Sequence, residues 1–147
     1  NIEFSSDFII GYPGETNQDF QDTLELIDRI NFINSYSFIF SPRPGTLAAN
    51  FGTVDKKITK ERLRIIQDKL FKIQIKKNKS IEGQFVSVLV ENRMKDNKLY
   101  GRTEYMTSVI FEGDIKYIGK LVQVKITNSN QNSLFGTIKL DKKKMVA

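Results

Sequence analysis

Residues 5–16 read Ser5-Ser6-Asp7-Phe8-Ile9-Ile10-Gly11-Tyr12-Pro13-Gly14-Glu15-Thr16, and the fold is read outward from this stretch. Ser5 to Ile10 closes on a continuous apolar run, as a strand buried on both faces would. Gly11-Tyr12-Pro13-Gly14 then breaks it with turn-forming residues. Thr16, with Asp19 three residues on, fits a capping box. Phe20, Leu24, Ile27 and Ile30 recur at spacings of four and three, which predicts a helix to about Arg29. Ser35 to Ser41 is rich in aromatic and small residues and reads as the next strand, ended by Pro42-Arg43-Pro44-Gly45. Strand, helix, strand is a parallel βαβ unit, right-handed by the usual rule. One such unit leaves its sheet edges open, so it reads as part of a larger α/β domain.

In parallel sheets and α/β barrels, ligands sit beyond the carboxyl ends of the strands, where loops meet helix N-termini. Both turns occupy that place. Gly11 and Gly14 would let the backbone approach a ligand without Cβ interference, and Glu15 is electrostatically favourable beside a helix start. Arg43, held between two prolines, could pair with a carboxylate or phosphate at the same rim. The plainer readings are a good βα turn, a Glu15 that caps its own helix and a surface arginine in a stiff loop; the residues alone leave both open.

Downstream, residues 50–57 read as a loop, and Thr59 is expected to cap a long, lysine-rich helix striped by Leu63, Ile66, Leu70 and Ile73. From Glu82 the pattern changes. Gln84 to Glu91, Lys98 to Glu104, Thr107 to Glu112, Leu121 to Thr127 and Ser133 to Leu140 are short β-rich runs broken by Gly, Asn and Asp. Five strands in roughly 60 residues predict a small antiparallel barrel, closed or nearly so. The Asp141-Lys142-Lys143-Lys144 tail is expected to be disordered, and no internal repeat is read.

Of the 147 residues 39% are hydrophobic and 27% charged, an ordinary globular balance. No apolar run could span a bilayer, and the first residues have no signal-peptide features; without methionine the start reads as cut rather than processed. A cytoplasmic protein is expected. The absence of cysteine and histidine removes disulfides, thiolate metal sites and the commonest general base, so no catalytic residue and no metal site is assigned within the chain. Charge is unevenly spread. Residues 1–50 carry two basic and seven acidic side chains, 51–82 ten and four, and 83–147 eleven and six, giving −5, +6 and +5. An acidic front and a basic rear suggest two modules, the second suited to a polyanion, although a solvated lysine-rich surface would look the same.

The stretches SSDFIIGYPGET (5–16) and NFINSYSFIFSPRPGT (31–46), with Ala48-Ala49, together resemble segments of the radical-SAM tRNA methylthiotransferases of the MiaB type. Gly101-Arg102-Thr103-Glu104, Phe111-Glu112-Gly113, Ile118-Gly119-Lys120 and Asn132-Ser133-Leu134 resemble the TRAM domain that closes such enzymes. The resemblance runs from about Ser5 to Leu140. It implies an α/β plus all-β chain: residues 1–80 the C-terminal βαβ part of a radical-SAM barrel with a linking helix, 81–141 a five-stranded antiparallel TRAM barrel, and 142–147 a tail. It implies S-adenosylmethionine and two 4Fe-4S clusters as cofactors of the whole enzyme, a reductant, a sulfur donor and a tRNA anticodon stem-loop as partners, and methylthiolation at C2 of an adenine beside the anticodon. The six family cysteines that hold the clusters have no counterpart here, so the piece alone is expected to be inactive.

Carried over residue by residue, the resemblance puts Ile9, Gly11, Gly14, Glu15, Arg43 and Thr46 at the cofactor rim. Arg93, Lys98, Arg102, Tyr105 and Lys120 become the expected RNA contacts, beside Lys95 and Lys116 and with Tyr100 a second candidate for stacking. Residues 105–110 lack the asparagine and basic residues expected of the family, and Phe135 stands where a basic residue is common. Threonylcarbamoyladenosine methylthiotransferases have a similar arginine loop, while Ser35-Tyr36-Ser37-Phe38-Ile39-Phe40 favours the dimethylallyladenosine type. A stand-alone RNA-binding barrel would explain the basic rear but not the rim motifs.

Overall fold

A computed structural model describes residues 2–139. The chain divides after Gln74 into two compact units. In the first, strand β1 (Asp7–Ile10) pairs in parallel with β2 (Tyr36–Ile39), Asp7 opposite Tyr36 and Ile10 opposite Ile39. Helix α1 (Asn17–Ile30) crosses between them and starts on the expected capping box, with Thr16 and Asp19 each satisfying the other's backbone N–H. It stops at Asn31, whose left-handed conformation (φ 57°) lets its N–H close on the Ile27 carbonyl. Helix α2 (Lys56–Ser80) runs through the division at Gln74. Phe8 and Ile10, Phe20 and Ile27, and Ile66 and Leu70 form one core, margined by Leu24, Leu63 and Ile73.

Three expectations are corrected here. Asp55, not Thr59, caps α2: its carboxylate accepts from the N–H groups of Lys57 and Ile58 at 2.8 and 3.2 Å. Thr59 lies inside the first turns, buried at 3% exposure. Ile30 falls outside the buried stripe, in the last turn of α1. The sheet is buried on one face only. Ile9 and Phe38, opposite each other in register, are 58% and 53% exposed, because both helices pack on the side of Phe8 and Ile10.

In the second unit, β3 (Phe85–Arg93), β4 (Lys98–Thr103), β5 (Ser108–Glu112), β6 (Leu121–Ser129) and β7 (Ser133–Ile138) close a barrel in the order β3-β4-β5-β7-β6. Closure refines the antiparallel expectation. A ring with an odd number of strands cannot alternate direction throughout, and the β5–β7 pair is parallel while the other four are antiparallel. Val88, Val90, Leu99, Val109, Phe111, Val124, Ile126 and Leu134 alternate inward and fill the interior. Each such buried aliphatic side chain stabilises the fold by about 2 kcal/mol. The last turn of α2 belongs to this unit: buried Asn78 donates to the carbonyls of Asn130 and Gln131 at 2.7 and 3.0 Å.

The barrel also holds a repeat that the unaided sequence conceals. Val86-Ser87-Val88-Leu89-Val90-Glu91-Asn92 of β3 corresponds to Val122-Gln123-Val124-Lys125-Ile126-Thr127-Asn128 of β6, and Leu99-Tyr100-Gly101 of β4 to Leu134-Phe135-Gly136 of β7. Both hairpins bulge at the same place, between Val90 and Asn92 and between Ile126 and Asn128. The β3–β6 register obeys the same symmetry: Val86 faces Val124 and Val88 faces Val122, about a local two-fold at Ser87 and Gln123. Strand β5, with no counterpart, is the odd member that closes the ring. The tail expected over 142–147, and the expected end of β7 at Leu140, lie outside the described residues.

Candidate cofactor rim and nucleic-acid interface

The turn after β1 and the loop after β2 leave the same end of the two-stranded sheet, joined there by a bond from Phe40 N–H to the Ile10 carbonyl and an edge-on contact between Tyr12 and Phe40. Gly11, Gly14 and Glu15 thus follow β1, and Arg43 and Thr46 follow β2, at the same end of the sheet. Ile9 lies on the open sheet face just below it.

The side chains there are differently engaged. Glu15 is not turned out toward a ligand. Its Oε2 accepts from the Gly11 N–H at 2.8 Å, and its Oε1 is paired with Arg62; the two side chains are 12% and 7% exposed. Arg62 also donates to the Glu15 carbonyl (3.3 Å) and to Asn17 Oδ1 (2.6 Å), and lies over the Phe20 ring. Glu15 thus fastens the turn to α2. Gly11 is needed for packing as much as for its φ of 75°, since a Cβ there would stand 2.5 Å from the Thr59 methyl. Gly14 differs: its φ of 87° demands glycine, yet nothing lies within 4 Å of the missing Cβ. Arg43 and Thr46 are exposed, and Thr46 closes the loop by donating its hydroxyl to the Arg43 carbonyl at 2.8 Å. Sequence reasoning missed Arg62 and Thr59 because one looked like any other cation of a charged helix and the other like a cap.

On the barrel, Lys98, Tyr100 and Arg102 all point outward from β4, since Leu99, Gly101 and Thr103 point in. The Arg102 Nε donates to the Tyr100 hydroxyl at 3.1 Å, that hydroxyl also bonds Ser108 Oγ at 3.0 Å, and Arg102 lies 3.8 Å from Glu91. The bond to Ser108 first, and then that from Arg102, holds the Tyr100 phenol below its ordinary pKa. Arg102 also lies over the Tyr100 ring, and Lys98 precedes Tyr100 on the same outward side of β4. The remaining expected contacts are dispersed. Arg93 is at the end of the β3–β4 hairpin with its guanidinium on Asn97, Lys120 precedes β6 with its backbone on Val90, and Tyr105 is in the β4–β5 turn.

Residues 79–139 match the TRAM domain family. The second unit carries a TRAM domain. Its barrel is the TRAM barrel, with Asn78 just ahead of it. Over nearly its whole length the chain resembles proteins named tRNA-2-methylthio-N(6)-dimethylallyladenosine synthase. That of Pelagibacter ubique is 69% identical over 99% of this chain and 33% of the relative. That of Ruthia magnifica is 48% identical over 94% and 32%, and that of Rickettsia akari 43% identical over the same shares. The chain spans about a third of the length of these relatives, its TRAM domain included. No helix among the described residues is long and apolar enough to cross a membrane.

Proposed function

We propose that this chain is part of a cytoplasmic tRNA methylthiotransferase that adds a methylthio group to C2 of dimethylallyladenosine beside the anticodon. The observation that carries the reading is 69% identity, across 99% of the chain, to a protein named for that reaction. In this reading the TRAM barrel binds the anticodon stem-loop, with Lys98 and Arg102 meeting phosphates and Arg93 and Lys120 adding charge at either side. The βαβ unit lends a rim to the S-adenosylmethionine site.

The residues at that rim fit such a ligand in kind. Ile9 offers an open apolar surface, Gly14 a turn with free space beside it, and Arg43 an exposed cation for a carboxylate. Arg62 and Glu15 hold the turn in shape. The clusters do not fit these residues: a chain with no cysteine supplies no thiolate, so cluster ligation, reductive cleavage of S-adenosylmethionine and sulfur supply fall outside it. Alone it binds RNA without catalysis.

Nucleoside mass spectrometry of tRNA from cells lacking the gene tests the assignment. Loss of the 2-methylthio group from dimethylallyladenosine is expected. Its retention, with loss from threonylcarbamoyladenosine, would move the chain to the other methylthiotransferase class.

A further inference from the structure

The outer face of β4, β5 and β7 is a three-by-three array fixed by register. Tyr100, Ile110 and Phe135 form the middle row, Arg102, Ser108 and Ser133 the row on one side, and Lys98, Glu112 and Thr137 the row on the other. The middle row is apolar but partly open to solvent, and none of its three residues belongs to the barrel core. Tyr100 and Phe135 occupy equivalent positions in the two repeated hairpins, so the pseudo-symmetry sets two aromatic rings on either side of Ile110, about 10 Å apart at the usual strand spacing. The Tyr100 ring is pinned through its hydroxyl by Ser108 and Arg102.

We propose that this array is a stacking platform for unpaired RNA nucleotides, with one base received on Phe135 and one on Tyr100 together with the Arg102 guanidinium that lies over its ring, 5.9 Å from the centroid; it rests on the RNA-binding reading above. The pinned Tyr100 ring and its counterpart Phe135 suit bases, whose faces stack whatever their identity. Lys98 and Arg102, flanking Tyr100 on its own strand, supply charge for the backbone, and the residue 83–147 segment carries a net +5. Ser108 and Ser133 offer hydroxyls to ribose or base edges. A stem contacted only through phosphates has no use for the aromatic row, so the array assigns this face to the loop.

The test is fluorescence anisotropy of the whole chain with a labelled ten-nucleotide oligouridine and, separately, a blunt-ended RNA duplex. Phe135→Leu keeps an apolar side chain and removes the ring. It is expected to weaken oligouridine binding about tenfold, to leave duplex binding unchanged and to be rescued by Phe135→Tyr, all at an unaltered unfolding midpoint. Lys98→Gln is expected to weaken both probes and reduce the salt dependence of each. Binding of both probes with no effect of Phe135→Leu, or an equal effect on both, would overturn the platform and leave RNA binding standing. No salt-sensitive binding of either probe would overturn the RNA reading itself. Concentration-dependent self-association abolished by Phe135→Leu would assign the face to a second copy of the chain and also overturn the platform.

Discussion

Arg62 shows how one buried cation can govern a turn far from it in sequence. Its guanidinium meets the Glu15 carboxylate, the Glu15 carbonyl and Asn17, while Glu15 in turn holds the Gly11 N–H. Removing one member of a buried pair leaves the other charged and unsolvated, so Arg62→Met is expected to destabilise the first unit by about 3 kcal/mol. Replacing both, as Arg62→Met with Glu15→Gln, removes the stranded charge and is expected to cost less than the sum of the single changes. A double-mutant cycle by urea unfolding measures this coupling; additive single effects would show that the pair is not a unit. At Gly11 two penalties combine. Gly11→Ala meets both the positive φ and the Thr59 methyl, whereas Gly14→Ala meets the φ alone, at about 1 kcal/mol. Adding Thr59→Ser, which deletes that methyl, is therefore expected to recover part of the Gly11→Ala loss in the same unfolding assay and none of the Gly14→Ala loss.

At the scale of elements, the start of α1 is sensitive to acid. The Thr16 side chain and then its backbone N–H, both bonding the Asp19 carboxylate, hold that carboxyl below its ordinary pKa. A depressed folded value means that the contribution is complete above the ordinary carboxylate pKa and is lost as pH falls through the lower folded one. Asp19→Asn is expected to flatten stability against pH in that acid window; an unchanged acid limb would refute the linkage. The hairpins make a second prediction. A Cβ at Gly101 would overlap the Leu89 carbonyl oxygen and stand 2.7 Å from Val88 Cγ1, and one at Gly136 would meet the Lys125 carbonyl and Val124 in the same way. Alanine at either position is expected to destabilise the barrel by about 3 kcal/mol, nearly equally, as read from thermal unfolding; unequal losses would mean that β5 has broken the local symmetry. These elements also mark what the sequence could reveal. Short β-rich runs broken by Gly, Asn and Asp showed all five barrel strands, and the capping box showed the start of α1, because each signal is local. Arg62, the Thr59–Gly11 contact and the Tyr100–Ile110–Phe135 row were not legible, since each joins residues that only folding brings together. The repeat was hidden because many of its equivalent positions hold different side chains, such as Leu89 against Lys125, and the agreement rests on a few inward residues, one asparagine, one outward aromatic and one glycine.

At the scale of the whole molecule, the two units satisfy their own surfaces to different degrees. The TRAM barrel leaves no sheet edge unpaired, fills its interior from all five strands and caps the Asn130–Gln131 turn with Asn78. The first unit keeps a two-stranded sheet with Ile9, Tyr36 and Phe38 open to solvent on one face. Two strands with one covered face are marginal, whereas a closed barrel with a filled core meets the requirements for folding alone. Residues 75–147 expressed alone are therefore expected to unfold in a single cooperative transition by circular dichroism and to protect the amides of β3, β4 and β6 from exchange. In the whole chain, the amides of β1 and β2 are expected to exchange faster than those of the barrel, since local opening follows the less covered sheet. Equal protection of both sheets, or a non-cooperative melt of the isolated second unit, would show that the barrel's closure is not what stabilises it.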